Sequence, residues 1–353
     1  MELITILESA VEKKASDIFI IPGAFLSMKV KGVILADESV RIMPEESEEL
    51  IHQIFKADRD RDFEKFLISG DDDFSISFKG LGRFRCNVYK QRGSFAAVLR
   101  VVTFELPDAK RFHIPKVVID LYKEKNGMVL ITGPAGSGKS TTLACIIDQI
   151  NHHLGKHIIT IEDPIEFMHM HRKSIVSQRE IHHDTINYNT ALRAALRQAP
   201  NVILLGEMRD YETIQTALTA AETGQLMLST LHTTGAAKTI DRIIDVFPPN
   251  QQQQIRVQLS MVLRAVVSQQ LVPTVDGGIE PAFEIMIVNS AIQNLIRESK
   301  AYQIDNILLS GSAQGMRTMD SDLLRLYHEK RIDADTAILY ATNPESLRKK
   351  LNL

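Results

Sequence analysis

The sequence is poor in cysteine, lacks tryptophan and contains no long apolar run. Its two cysteines, Cys86 and Cys145, are far apart and form no C-x-x-C pair. This excludes a disulfide framework or a thiolate metal site and predicts two buried thiols in a reducing compartment. No apolar stretch approaches the roughly 18 residues that a membrane-spanning helix needs. Residues 1–14 are amphipathic and lack the basic-then-apolar pattern of a signal peptide. We therefore expect a cytosolic protein without membrane insertion.

The sequence also has no large excess of positive or of negative charge. The net charge is −3, from 41 basic and 44 acidic residues mixed along the chain. No global basic field attracts nucleic acid, so we expect no nucleic-acid partner. A hydrophobic content of 44% is ordinary for a globular protein that buries real cores. With 353 residues, two domains are more plausible than one.

The hydrophobic pattern changes character near residue 103. Before it, short alternating strands and amphipathic helices predict a small α+β domain over residues 1–103, in which Asp71–Asp73 form a turn before a strand at Phe74. Residues 104–116 contain two prolines and no periodicity, which is typical of a linker. From residue 117 to 353, strands alternate with helices, as in a parallel α/β sheet. Beyond Pro249 the pattern is mostly helical, with an apolar stripe formed by Ile255, Leu259, Val262 and Val266.

A glycine-rich segment, GPAGSGKST, follows an apolar run and precedes a helical pattern. The spacing fits G-x-x-x-x-G-K-[ST], in which backbone N–H groups at a helix start surround phosphates. Lys139 would reach the β- and γ-phosphates of ATP, and the Ser140 hydroxyl would take one Mg²⁺ position. A glycine-rich turn with a chance lysine is the alternative, but the flanking pattern disfavours it. The predicted nucleotide-binding residues are Gly133, Pro134, Ala135, Gly136, Ser137, Gly138, Lys139, Ser140 and Thr141.

Acidic side chains follow two further predicted strands. The segment ITIEDPIE ends in Glu162, Asp163 and Glu166, where a carboxylate beside the γ-phosphate can orient and deprotonate water. An acidic surface turn around Pro164 is the alternative. Glu207 follows the apolar strand Val202–Leu205 and Gly206. An acid directly after a buried strand is the Walker B arrangement, in which the acid holds Mg²⁺.

His232 follows the predicted strand Leu226–Thr230 and is able to hydrogen-bond the γ-phosphate. By itself, a lone histidine is more often a loop or core residue. Other histidine pairs, such as His169 with His171, His182 with His183 and His152 with His153, are interpreted as solvated loop residues rather than a metal site.

These segments together resemble the ordered motifs of type II and type IV secretion ATPases, and most closely those of the PilT family of type IV pilus retraction motors. The resemblance rests on GPAGSGKST, ITIEDPIEF, ALRAALRQAPNVILLGEMRD, TALTAAETG and TLHTTGAAKTIDRIIDVFP. It implies an α/β fold, with a RecA-like P-loop ATPase domain and a smaller α+β (PAS-like) N-terminal domain, assembled as a homohexamer. By this resemblance Glu166 is the catalytic base, Glu162 supports it, Glu207 is the Walker B acid, and His232 belongs to the His box.

The family also uses arginines of the N-terminal domain on nucleotide bound at a subunit interface. The segments LGRFR and AAVLRVV place Arg83, Arg85 and Arg100 at matching positions. A guanidinium there would neutralise charge on the γ-phosphate and couple turnover to domain position. Without the resemblance, solvent-facing arginines at strand edges would be the favoured interpretation.

Two positions depart from the family pattern. Gln225 stands where the family usually has histidine, and it can form hydrogen bonds but cannot carry a proton. The segment AIQNLIRE places Gln293 where the family tends to have arginine, and this change would alter a contact with the pilus platform or a neighbouring helix. Neither departure touches the predicted ATPase residues.

The resemblance predicts pilus retraction rather than assembly. Assembly ATPases of this superfamily typically carry a four-cysteine zinc insertion, which two cysteines cannot build. The implied partner is a pilus platform protein of the inner membrane, with the protein peripheral at the inner face of that membrane. An assembly ATPase, a low-turnover accessory subunit, a nucleic-acid translocase and a small-molecule phosphotransferase are the alternatives.

Overall fold

The computed structural model describes residues 2–30, 32–58, 61–102 and 106–351. The chain forms two compact units, residues 1–105 with 166–168 and residues 106–165 with 169–353. The predicted domain end at residue 103 and the start of the predicted linker at residue 104 lie outside the described residues. The sequence did not indicate that residues 166–168 group with the first unit.

The first unit is an antiparallel sheet with three helices among its described residues. The strand order is β3-β2-β1-β6-β5-β4. Its elements are α1 (Leu3–Glu12), β1 (Ala15–Ile20), β2 (Phe25–Val30), β3 (Val33–Arg41), α2 (Pro44–Ala57), α3 (Phe63–Ser69), β4 (Asp71–Phe78), β5 (Gly82–Gln91) and β6 (Ser94–Val102).

Local sequence signals explain where the helices of this unit begin and end. Proline at the first position of α2 costs no backbone hydrogen bond, and Glu46 accepts a hydrogen bond from the Met43 N–H at 2.8 Å. The α2 face that carries Leu50 and Ile54 is fully buried in a cluster with residues of α1 and the sheet. Gly70 ends α3 in the left-handed conformation, at φ +84°.

Two predictions in this unit are corrected. The apolar spacing of residues 58–69 predicts a helix over this whole segment, but the helix begins at Phe63, where Asp62 caps it by accepting from the Glu64 N–H. Residues 59 and 60 lie outside the described residues. Asp71–Asp73 are not a turn but the first residues of β4, paired with β5. Ion pairs offset the low strand propensity of aspartate here. Arg85 of β5 pairs with Asp73, and Arg61, which precedes α3, pairs with Asp72.

The second unit is a seven-stranded sheet with the order β13-β12-β7-β11-β10-β8-β9, parallel except for β13. Its elements are α4 (Lys116–Ile119), β7 (Gly127–Thr132), α5 (Lys139–His153), β8 (His157–Glu162), β9 (Ile175–Glu180), α6 (Tyr188–Ala195), β10 (Val202–Leu205), α7 (Tyr211–Glu222), β11 (Leu226–Leu231), α8 (Ala236–Asp245), α9 (Pro249–Val262), β12 (Leu263–Pro273), β13 (Ile279–Ile287), α10 (Ser290–Arg297), α11 (Ile304–Ser310), α12 (Met319–His328), α13 (Ala334–Tyr340) and α14 (Pro344–Leu351).

The central strands bury both faces. Every residue of β7, β10 and β11 is buried. Met128 and Leu130 join the core cluster with α6–α11, whereas Val129 and Ile131 join the opposite cluster with α4 and α5. This explains why these strands have no polar alternation in the sequence. Among the described residues, no helix is both long and apolar enough to cross a membrane.

The mostly helical pattern predicted after Pro249 is wrong for β12 and β13. Helix α9 ends at Val262, and Val266 lies in β12, where it pairs with Leu130 of β7. A run of buried apolar residues fits a helix or a strand equally well. The segment that contains Val266 is a strand because it pairs with β7. Strand β9 was also not predicted, because its sequence IVSQRE lies at the sheet edge and is largely polar.

Candidate active site

The phosphate loop connects the buried strand β7 to helix α5. Gly133 has a φ of +142°, and a Cβ there would lie 2.1 Å from the Gln269 carbonyl oxygen. Gly138 immediately precedes α5 in the left-handed conformation, at φ +85°. The loop therefore requires glycine at these two positions, for close backbone approach and for the turn into the helix.

Inside the loop, Lys139 and Ser137 present polar groups in a buried setting. Lys139 is 8% exposed, and its Nζ donates to the carbonyl oxygens of Gly133 at 2.9 Å and Pro134 at 2.8 Å. Within the described residues, the buried Ser137 hydroxyl has no hydrogen-bond partner. A buried cation, an orphaned hydroxyl and the N-terminus of a fifteen-residue helix fit a phosphate group.

Strand β12 supports this loop from the side, a role that sequence reasoning missed. The Thr132 hydroxyl donates to Ser268 Oγ at 3.1 Å, and the Thr142 hydroxyl donates to Gln269 Oε1 at 2.7 Å. Ser268 Oγ also accepts from the Gly235 N–H at 2.8 Å, just before α8. The signal in the sequence was the polar segment Ser268–Gln270 inside an apolar run.

Glu207 and His232 lie together at the carboxyl ends of β10 and β11. Glu207 Oε2 is 2.7 Å from Arg209 Nε and 3.6 Å from His232 Nε2. The Thr230 hydroxyl donates to the Gly206 carbonyl at 2.5 Å and so ties the ends of the two strands together. Arg209 was not assigned a role from the sequence, although its place two residues after Glu207 was a usable signal.

Parallel pairing brings the phosphate loop and Glu207 to one edge of the sheet. Strands β7 and β10 both flank β11, and their carboxyl ends are in register with it. Ser140 lies in the first turn of α5 at this edge. A hydroxyl and a carboxylate are the oxygen ligands that Mg²⁺ prefers, so the residues present fit this ion.

Glu162 ends strand β8 at the same edge. Its Oε1 accepts from Gln178 Nε2 of β9 at 3.4 Å. The following turn, which contains a cis Asp163–Pro164 bond, is held by the buried Glu180, whose Oε2 accepts from the Ile165 N–H at 3.0 Å. Glu166 is exposed and groups with the first unit.

A further missed residue, Tyr188, lies among these acids at the start of α6. Burial raises the pKa of its hydroxyl, and the carboxylates of Glu207, Asp163 and Glu162 raise it further against the opposing charge of Arg209. The hydroxyl is therefore protonated throughout the physiological range and available as a donor.

The three predicted interface arginines all lie in the first unit, on β5 and β6. Arg85 Nη2 is 2.5 Å from Asp73 Oδ2, and Arg100 Nε is 3.1 Å from Asp17 Oδ1. Arg83 Nη1 donates to Ser77 Oγ at 3.5 Å. Within one chain, Arg85 and Arg100 are thus paired with carboxylates of their own unit.

Comparison with known proteins identifies the family. The model of the type II/IV secretion system protein family matches residues 2–349. The type IV pilus retraction ATPase PilT of Pseudomonas aeruginosa is 41% identical over 346 residues, which are 98% of this chain and 100% of that protein. The chain belongs to the PilT family of secretion ATPases.

Two other relatives agree with this assignment. A twitching motility protein of Neisseria gonorrhoeae is 49% identical over 276 residues, 78% of this chain and 74% of that protein. The crystal structure of the pilus retraction motor PilT with bound ADP has a TM-score of 0.91 and 44% identity, and it covers 99% of both chains. The predicted fold class, a RecA-like ATPase domain with a smaller N-terminal α+β domain, is confirmed by this similarity.

The departure from the family pattern at Gln225 lies away from the PilT-type motifs at the carboxyl edge. Gln225 directly precedes β11, whereas His232 directly follows it. Six residues of strand separate the two ends by about 20 Å. The Gln225 Oε1 accepts from the Thr223 hydroxyl at 2.9 Å, a contact within its own turn.

The histidine pairs do not form a metal site in the described part of the chain, where no group of potential ligands converges. The interpretation of all six as solvated loop residues is wrong in two places. His152 and His153 end helix α5, and the His169 ring is largely buried. Burial lowers the pKa of His169 to about 4, and within the described residues its Nδ1 has no hydrogen-bond partner. Both cysteines are buried free thiols, as predicted.

Proposed function

We propose that this protein is an ATP-hydrolysing motor that powers type IV pilus retraction. The observation that carries the proposal is the arrangement at one sheet edge, where a complete phosphate loop, Glu207 and His232 lie at the ends of three adjacent parallel strands. Full-length similarity to a pilus retraction ATPase supports the same activity.

The proposed chemistry assigns a role to each predicted residue. The phosphate loop, residues 133–141, binds ATP, and Lys139 contacts its β- and γ-phosphates. Ser140 and Glu207 would hold Mg²⁺, which would neutralise charge on the phosphates. Glu166 takes the proton of the attacking water, with Glu162 in support, and His232 hydrogen-bonds the γ-phosphate.

The motor is proposed to work as a homohexamer. Arg83, Arg85 and Arg100 then act on nucleotide bound by a neighbouring copy, and contacts made only in the closed interface bias a rigid-body movement. We propose further that the ring contacts a pilus platform protein at the inner face of the cytoplasmic membrane, with no nucleic-acid partner.

An accessory motor subunit with low turnover is the second candidate. Gln225 is the feature that favours it, because the family usually has histidine there. Its position at the amino end of β11 and its contact with Thr223 separate it from Glu207 within this chain. The retained Lys139, Glu207 and His232 favour a motor that turns over ATP. The assembly ATPase and the nucleic-acid translocase have no specific observation in their favour.

Steady-state ATP hydrolysis by the full chain tests the proposal, with oligomer mass measured on the same samples. We expect slow, Mg²⁺-dependent hydrolysis by a hexamer. The substitution Glu166→Gln is expected to lower the rate roughly 100-fold or more, the usual effect of losing a general base. Glu298→Gln is the matched control, because this exposed carboxylate contacts Lys300 far from the phosphate loop in sequence.

Each other outcome points to a named alternative. A hexamer that binds ATP and turns over no faster than Glu166→Gln would favour the accessory subunit. A monomer with full hydrolysis would remove the interface role of the three arginines. Strong stimulation by single-stranded DNA would favour the translocase.

A further inference from the structure

Tyr188 occupies a defined place at the start of α6. Asn187 caps the helix, since its Oδ1 accepts from the Thr190 N–H at 2.8 Å. The cap fixes Tyr188 as the first helical residue, and its ring packs on the core cluster that also contains Ile161 and Leu205. The body of the side chain is therefore anchored, and its hydroxyl has a fixed direction.

The hydroxyl lies beside the residue that precedes Glu207. A Cβ added to Gly206 would be 2.9 Å from the Tyr188 oxygen, and 3.4 Å from both the Glu162 Cα and the Ile161 carbonyl oxygen. The glycine thus leaves a narrow gap between the ends of β8 and β10, and the tyrosine oxygen fills it.

The electrostatic surroundings of this hydroxyl are acidic. Three carboxylates, those of Glu207, Asp163 and Glu162, act on it, and Arg209 is the opposing charge. A protonated hydroxyl in this acidic environment is a hydrogen-bond donor. Phenylalanine would preserve the packing but leave no donor at this point.

We propose that Tyr188 is a positioning residue, whose hydroxyl donates a hydrogen bond at the carboxyl ends of β8 and β10 and holds Glu207 and Glu162 in the orientation in which Glu207 would take up Mg²⁺. The proposal rests on the assignment of Glu207 as the metal-binding acid. A fixed donor at this point would keep both carboxylates oriented toward a bound nucleotide. The competing interpretation is that Tyr188 contributes packing alone.

The substitution Tyr188→Phe separates the two interpretations. A positioning role predicts a kcat about 5- to 10-fold lower and a several-fold higher Mg²⁺ concentration at half-saturation, with the KM for ATP at saturating Mg²⁺ changed less than about twofold. Tyr211→Phe is the matched control, because the Tyr211 hydroxyl donates to Gln251 Oε1 at 3.0 Å, on α9. The control is expected to keep the wild-type Mg²⁺ dependence.

Binding measurements keep this test independent of catalysis. The affinity of a fluorescent ADP analogue is measured with and without Mg²⁺ for the wild type, Tyr188→Phe and Tyr211→Phe. We expect the gain in affinity on adding Mg²⁺ to be several-fold smaller in Tyr188→Phe. An unchanged gain together with an unchanged kcat would overturn the proposal. If the wild type itself does not hydrolyse ATP, the proposed function fails, but the binding comparison still decides the role of Tyr188.

A double substitution checks the placement of the hydroxyl. Gly206→Ala is expected to lower the melting temperature because the new Cβ meets the Tyr188 oxygen. Removing that oxygen in Gly206→Ala/Tyr188→Phe should restore a substantial part of the loss. If the double variant is no more stable than Gly206→Ala, the hydroxyl does not fill this gap and the proposal is overturned.

Discussion

The two sheets of this protein differ in where their polar residues lie. In the second unit, β7 and β11 are buried along their whole length, and the polar groups Lys139, Glu207 and His232 come after the strands end. In the first unit, charged residues such as Arg85 and Arg100 lie within the strands themselves. A parallel sheet that is covered on both faces has its polar functional residues at the carboxyl ends of the strands. An antiparallel sheet with an open face has charged residues along the strands themselves.

This difference sets what each unit can do by itself. The polar edge of the second unit brings a phosphate loop, a carboxylate and a histidine together within one chain. The arginines of the first unit pair with acids that the same sheet presents, namely Asp73 and Asp17. The comparison predicts that substitutions at the edge of the second unit disturb a tightly packed structure, whereas those on the open face of the first unit leave stability almost intact.

The largest effect on stability is expected for Gly133→Ala. The added Cβ would lie 2.1 Å from a backbone oxygen of β12, at a φ that L residues rarely adopt. We expect the free energy of unfolding to fall by about 3 to 4 kcal/mol, as measured by urea denaturation. Gly136→Ala is the control within the same loop, because nothing lies within 4 Å of its Cβ. It should cost about 1 kcal/mol. Equal losses would contradict the tight packing between the loop and β12.

A smaller effect is expected from His169, which is partly buried. Its pKa of about 4, lowered by burial, means that the folded protein keeps the ring neutral where the unfolded chain binds a proton. The contribution of the neutral His169 ring to the free energy of unfolding is therefore fully present above pH 6.5, and it is lost as the pH drops toward 4. Between pH 7.5 and pH 5 this amounts to about 2 kcal/mol at most.

The substitution His169→Phe removes the titration and should flatten the loss of stability on acidification. His153→Phe, at the exposed end of α5, is the control and should keep the wild-type slope. Chemical denaturation at both pH values measures the difference. A wild-type slope in His169→Phe would show that another group causes the acid sensitivity.

The smallest change in stability is expected for Arg85→Gln on the open face of the first unit. Its ion pair with Asp73 is partly exposed, and pairs of this kind contribute about 0.5 kcal/mol. Hydrolysis by the assembled protein should nevertheless fall at least about 100-fold if Arg85 acts on nucleotide, since such arginines supply large factors.

Arg61→Gln is the matched control for Arg85→Gln. Arg61 pairs with the neighbouring Asp72 but is not one of the three predicted interface arginines. Arg61→Gln should cost more stability than Arg85→Gln, because the Arg61 pair is less exposed and its guanidinium lies over the Phe74 ring, but it should keep its hydrolysis rate. A normal rate in Arg85→Gln would limit the role of that arginine to its pair with Asp73 and sharpen the contrast between the units.

The sequence predicted the phosphate loop and the buried strands that surround it because their signals are local. Four fixed positions with a strand before and a helix after define the loop at residues 133–141. The failures occurred where local signals were ambiguous. Val266 continued a helical spacing but lies in β12, and Asp71–Asp73 had turn composition but pair with β5.

The supporting residues of the site could not be predicted because they are distant in the chain. Ser268 and Gln269 contact Thr132 and Thr142 only because β12 pairs with β7, 136 and 127 residues away. Tyr188 reaches Gly206 because α6 begins beside the end of β10. No spacing rule connects such positions, since the sheet order β12-β7-β11-β10-β8 is a property of the folded chain.

The sequence by itself determined the family, the phosphate loop and the identity of the acids that follow the strands. These are properties of short segments, in which glycine conformation, apolar runs and motif spacing act over a few residues. The tertiary structure alone decided which groups meet: Arg209 and His232 at Glu207, β12 against the loop, and Tyr188 above Gly206. The physical reason is that parallel pairing and burial bring these groups together, and both depend on contacts between segments that are remote in sequence.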